Sequence, residues 1–125
     1  MPGMQPNDDW YIAAIDAIEV KADDAHAALN AVIELFSIAR AARLEGRPLP
    51  DIVDGLYARG ARELRRDVGA AFREYEDAVT AYRAVTIRAL VDEGGMSFSD
   101  VAASVGVSRQ MIAKLYRRGV VGGGS

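Results

Sequence analysis

The sequence predicts an all-α fold: a long antiparallel helical hairpin, bundle-like or coiled-coil-like, followed by two short helices joined at a sharp turn. Three observations carry this. Two long stretches repeat apolar residues in alternating steps of three and four, the period of a helix face packed lengthwise against a partner. The strongest internal turn signal, Gly46-Arg47-Pro48-Leu49-Pro50, separates them. Past a second break at Gly94-Gly95 the apolar spacing supports only two short helices, split at Gly106.

Residues 1–7 contain Pro, Gly and Asn and are expected as a flexible leader. Asn7 or Asp8 can cap a first helix that begins near Asp9 and reaches Glu45. Its seam is Tyr11, Ile15, Ile18, Ala22, Ala25, Leu29, Val32, Phe36 and Ala39, a heptad pattern. The weak stretch is KADDAHA, Lys21 to Ala27, where Asp23 or Asp24 can recap a second piece. Ile12, Val20, Ile33, Leu35 and Ile38 lie off that seam, so the helix is apolar over a wider arc than one partner covers. A second copy of the chain is the simplest cover, giving a four-helix-bundle homodimer through the N-terminal helices.

Pro48 biases Arg47 out of the helical region, so a second long helix is expected to start near Pro50 or Asp51 and to end at Gly94-Gly95. Its seam reads Ala61, Leu64, Val68, Ala71, Tyr75, Ala78, Tyr82, Val85 and Ala89. Gly55, Gly60 and Gly69 each cost such a helix about 1 kcal/mol relative to Ala, which makes a separate short helix over Asp51–Arg59 the alternative. Residues 8–80 are therefore read as a helical oligomerisation region and 81–119 as a C-terminal domain, with 120–125 a flexible tail.

Within that domain, Ser97 can cap a short helix and Asp100 can answer it as the acid of a capping box. Val101, Val105, Val107, Ile112 and Leu115 fall where two crossing helices bury apolar side chains, and Ala102 sits at their closest approach. Gly106 suits a left-handed helix end, and Ser108 follows as the cap of the next helix. That last helix carries Arg109, Gln110, Lys114, Arg117 and Arg118 and no acid, as a helix entering a phosphate-lined groove requires.

Bulk properties narrow the function. The chain has 125 residues, half of them hydrophobic, with no cysteine and one histidine, which excludes disulfides and thiolate metal sites. No apolar run reaches membrane-spanning length and MPGMQPNDDW lacks the regions of a secretory signal, so a cytoplasmic protein is expected. No cofactor, small-molecule ligand or catalytic constellation is evident, and an enzyme is not expected. The net charge of −3 is unevenly spread. From Met96 onward four bases face Asp100 alone, a balance of +3, and the compensating −6 lies in the first 95 residues. A basic head on an acidic body fits a protein whose body faces away from DNA.

In the usual docking geometry the second helix of such a pair lies in the major groove of duplex DNA. Its outward positions are Ser108, Arg109, Gln110, Ala113, Lys114 and Arg117. Arg109 can bind guanine in bidentate fashion, Gln110 can do so for adenine, and Ala113 can meet a thymine methyl. Lys114, Arg117 and Arg118 suit phosphates or flanking bases, and the N–H groups from Ser97 to Ser99 can hold a further phosphate.

The stretch Phe98–Arg118 resembles the helix-turn-helix superfamily, and is particularly similar to the homeodomain-like and sigma-factor region 4 versions, whose motif also runs acid-hydrophobe-Ala through Gly-Val-Ser. The resemblance implies base reading by Arg109, Gln110, Ala113 and Lys114, with Ala81–Glu93 as the supporting helix. The Ala-rich, Arg-over-Lys composition also resembles small actinobacterial or actinophage regulators such as immunity repressors. The expected function is a sequence-specific transcriptional repressor acting by operator occlusion. The rivals are a phage DNA-packaging protein of the small-terminase kind and a helical interaction or antitoxin module.

Other features have plainer readings. Arg59, Arg62, Arg65, Arg66 and Arg73 are expected as a solvated face with weak ion pairs to Glu63, Asp67, Glu74, Glu76 and Asp77. His26 reads as a partly exposed helix residue, and Asp16, Glu19, Asp23 and Asp24 as solubilising charge. Trp10, Tyr11, Phe36, Phe72, Tyr75 and Tyr82 suit a core or a dimer interface. Tyr116 can either pack under the motif or reach a phosphate.

Overall fold

The computed structural model describes the backbone of residues 6–124 and the side chains of residues 10–118. Among the described residues all regular structure is helical: α1 (Pro6–Leu44), α2 (Leu49–Ala58), α3 (Ala61–Asp92), α4 (Phe98–Val105) and α5 (Arg109–Gly124). No described helix is long and apolar enough to cross a membrane. The chain divides into two units, one of residues 1–19 with 76–125 and one of residues 20–75.

α1 starts at Pro6, so Asn7 and Asp8 lie in its first turn rather than before it. Proline suits this first position because its missing N–H would have no helical partner and its φ is already helical. Most of the leader expected at 1–7 falls on residues 1–5, outside the described residues. The backbone of α5 continues to Gly124, well into the segment expected as a tail.

α1 is not interrupted at Lys21–Ala27. Ala22 and Ala25 turn inward there while Asp23 and Asp24 stay in water, so neither aspartate has to leave the helix to find a partner. The expected seam holds at Ala25, Val32 and Ala39, but between them Ala28 and Leu35 face inward rather than Leu29 and Phe36. Leu35 is buried and Phe36 is 57% exposed. Apolar residues occupy both candidate positions of each pair, so periodicity alone could not fix the phase.

The single second helix expected from Pro50 is two helices, as in the alternative. Pro48 is extended before α2, and Gly60, at φ 89°, ends the turn after it. That conformation is strained for any residue with a side chain, and it separates α2 from α3. Ile52 anchors α2 in the second unit. Along α3 every expected seam residue, from Ala61 to Ala89, is at least half-buried, and Gly69 is carried inside the helix.

In the first unit the hydroxyls of Tyr11 and Tyr82 are hydrogen-bonded at 3.0 Å, with ring centroids 5.4 Å apart. In the second, Lys21 pairs with Glu74 at 3.6 Å. The tightest packing lies at the C-terminal end of the first unit, where Ile87 of α3, Val101 and Ala102 of α4, and Ile112 of α5 form one buried cluster.

Candidate nucleic-acid interface

Local chemistry fixes both ends of α4. The Ser97 hydroxyl accepts from the Asp100 amide at 3.0 Å, and the Asp100 carboxylate accepts from the Ser97 amide at 3.4 Å, forming the capping box. Gly106 then turns left-handed at φ 75°, ψ 29°, and its amide and that of Val107 both reach the Ala102 carbonyl, at 2.9 and 3.2 Å. Two residues on, the Ser108 hydroxyl accepts from the Met111 amide at 3.1 Å and starts α5. The chain thus leaves α4 and enters α5 with few soft torsions between them.

Packing then sets which face of α5 is free. Ile112 and Val101 expose no surface, and Leu115 and Tyr116 pack partly buried beside them. The surface of α5 away from Ile112 carries Gln110, Lys114, Arg117 and Arg118, with Ala113 half-buried among them, and Arg109 stands exposed at its edge beside Phe98. Ser97, Ser99 and Ser108 are exposed too, but Ser97 spends its amide on Asp100, so an anion at the start of α4 would meet the amides of Phe98 and Ser99. Val105 and Val107, expected in the core, are exposed: they flank Gly106 at the turn, outside the cluster built on Ile112.

A chain of contacts absent from the sequence reading braces this face. The Arg109 guanidinium lies over the Phe98 ring, 5.7 Å from its centroid. Phe98 meets Tyr116 with centroids 5.3 Å apart, and Tyr116 lies under the Arg88 guanidinium at 5.2 Å. The Tyr116 hydroxyl donates to the Asp92 carboxylate at 2.8 Å, whose other oxygen is 3.3 Å from Arg88 Nε. Tyr116 is therefore a brace between α3 and α5. The Arg88/Asp92 spacing was a signal that sequence reasoning could have used; the pairing of Asp92 with a residue 24 positions away was not.

The arginines between positions 59 and 73 are exposed, as expected of a solvated face, but lack the expected ion pairs among the described residues. Among the described residues the ion pairs are Lys21–Glu74, Glu45–Arg47 and Arg88–Asp92. None involves Arg59, Arg62, Arg65, Arg66 or Arg73, which are exposed. Glu74, an expected partner, reaches across to α1 instead. Comparison of the chain with protein-family models, characterised proteins and solved structures finds no match to any of them.

Proposed function

We propose that the chain is a sequence-specific duplex-DNA-binding regulator of transcription that places α5 in the major groove and represses by occluding its operator. The observation that carries this reading is the acid-free outer face of α5, with Arg109, Gln110, Lys114 and Arg117 exposed on a helix anchored through buried Ile112. A reading helix needs that combination, because side chains discriminate bases only when the backbone holding them is fixed. α1 and α3 form an antiparallel stem in this proposal, and two stems join in a homodimer whose half-sites lie about one helical turn, ~34 Å, apart.

Genomic-fragment selection with the purified protein, followed by gel shifts at several salt concentrations, tests the proposal. A recovered site with steeply salt-dependent affinity is expected. Absent or salt-insensitive binding would reject it. A ring of many subunits in light scattering would instead favour a packaging role.

A further inference from the structure

The second unit carries an apolar groove of about 500 Å³ that no described residue fills. Leu29 and Phe36 of α1, Val53 and Tyr57 of α2, and Arg62 and Arg65 of α3 line it. Phe36 and Tyr57 are each 57% exposed, a large apolar surface to leave in water. Arg62 is held over the Tyr57 ring at 5.4 Å, and Arg65 stands beside it with no ion pair among the described residues. Arg66 and Arg73 continue the row of bases along α3, with Asp67 the acid among them. The groove therefore suits a narrow apolar ridge flanked by carboxylates.

The chain itself carries such a ridge. Ile12, Asp16, Glu19, Val20 and Asp23 recur on α1 in the spacing of one helix face, and all are exposed, Ile12 at 48% and Val20 at 55%. One isoleucine and one valine side chain interleaved with three acids complement an apolar trough rimmed by arginines.

We propose that the chain dimerises about a two-fold axis, with the Ile12–Asp23 face of each copy seated in the Arg62/Arg65-rimmed groove of the other. The proposal rests on the homodimer reading given above and names its surfaces. A two-fold contact uses the same pair of patches twice, so groove and ridge are both consumed and assembly stops at two copies. Ile12 and Val20 cover Leu29, Phe36 and Tyr57, while Asp16, Glu19 and Asp23 meet arginines that are in no ion pair among the described residues. Like charges brought together at such a contact repel, so reversing one side is a sensitive probe.

The test uses two charge-reversed full-length chains, Asp16→Arg/Glu19→Arg and Arg62→Glu/Arg65→Glu, studied by light scattering and sedimentation. The wild type should be dimeric. Each variant alone should be monomeric, with a dimer dissociation constant raised at least about tenfold. An equimolar mixture should return to two copies, because both grooves then face ridges of opposite charge. That rescue also demonstrates that both variants are folded, and circular dichroism provides an independent check. If reversal unfolds either chain, Asp16→Asn/Glu19→Gln and Arg62→Gln/Arg65→Gln should each weaken the dimer and flatten its salt dependence.

Failures are distinguishable. A monomeric wild type overturns the dimer reading and this proposal together. A wild-type dimer that both reversed chains retain, or monomeric variants that do not rescue each other, overturns only the pairing of these two surfaces. Assembly beyond two copies overturns the closed contact. Anilinonaphthalene sulfonate, an apolar anion, should bind the monomeric Asp16→Arg/Glu19→Arg chain and be excluded from the wild-type dimer; equal binding to both would show the groove open and reject the proposal.

Discussion

The α4–α5 end and the groove-bearing unit use similar residues to different effect. At the α4–α5 end, Val101 and Ile112 are wholly covered, three helices contribute to the cluster, and serine caps close the helix starts. In the unit of residues 20–75 the buried side chains are Ala25, Leu35, Ile52 and Ala71, while Ile33, Phe36, Tyr57 and Phe72 stand exposed. The first region completes its core within one chain and places its charges outward. The second leaves large apolar side chains exposed and, among the described residues, arginines in no ion pair. Under the proposed function, rigidity at the α4–α5 end would hold base-reading side chains in register, and the uncovered surface of the other unit would be what a second copy meets.

Truncating one residue in each region should break the comparison most directly. Ile112→Ala removes a fully covered side chain from a cluster of helices and should cost about 2–5 kcal/mol in denaturant unfolding. Phe36→Ala removes a larger side chain, yet one already mostly in water, and should cost the monomer under about 1 kcal/mol while weakening the proposed dimer. Equal losses in monomer stability would mean that the two regions are equally finished.

Arg109→Ala comes next, at about 1–3 kcal/mol on a selected DNA site with base preference relaxed at one position. Melting should hardly change, because Arg109 is exposed and contacts Phe98 only across the ring face. Lys114→Ala or Arg117→Ala should instead reduce the salt slope by about 1 with little change in preference. If Arg109→Ala leaves the ratio of specific to random binding unaltered, Arg109 does not read a base.

The caps are smaller effects confined to the rigid end. Ser97→Ala and Ser108→Ala should each cost about 1 kcal/mol in stability, because each leaves a helix-start amide unpaired. Ser97→Ala should also release the N-terminus of α4, read as faster amide exchange at Asp100.

How much of this was legible in the sequence follows the same division. The caps, the left-handed Gly106 and the outer face of α5 depend on neighbours within a few residues, and their residue types state them. The seam of α3 was legible from its three-four spacing, although Ala84 and Ile87, the most deeply buried residues of that helix, lie beside it rather than on it. In α1 the pairs Ala28/Leu29 and Leu35/Phe36 offer two apolar candidates each, and the choice is made by α2 and α3, not by the helix itself. The groove exists only because α2 is a separate helix, which depended on whether Gly60 would bend or be absorbed as Gly69 is. The Arg88–Asp92–Tyr116–Phe98–Arg109 brace joins residues from α3, α4 and α5, so no local pattern announces it.

The least of the expected effects concerns the N-terminal half of α1, where Tyr11 meets Tyr82. The hydrogen bond that holds the neutral Tyr11 hydroxyl against Tyr82, then the charge of Tyr82 on ionisation, then burial keep the Tyr11 phenol above its ordinary value of 10.0. The neutral phenol is the form the fold favours, so its contribution is fully present below the unfolded-state pKa near 10 and is lost as pH rises through the folded-state value. Tyr82→Phe removes the partner hydroxyl while keeping the ring contact. Tyrosinate absorbance should then show Tyr11 ionising at lower pH than in the wild type, while unfolding at neutral pH changes little. An unmoved Tyr11 titration would mean that the two hydroxyls do not meet in solution. The pairing of α1 with α3 in that unit would then rest on apolar contacts alone, as loosely specified as the exposed face of the other.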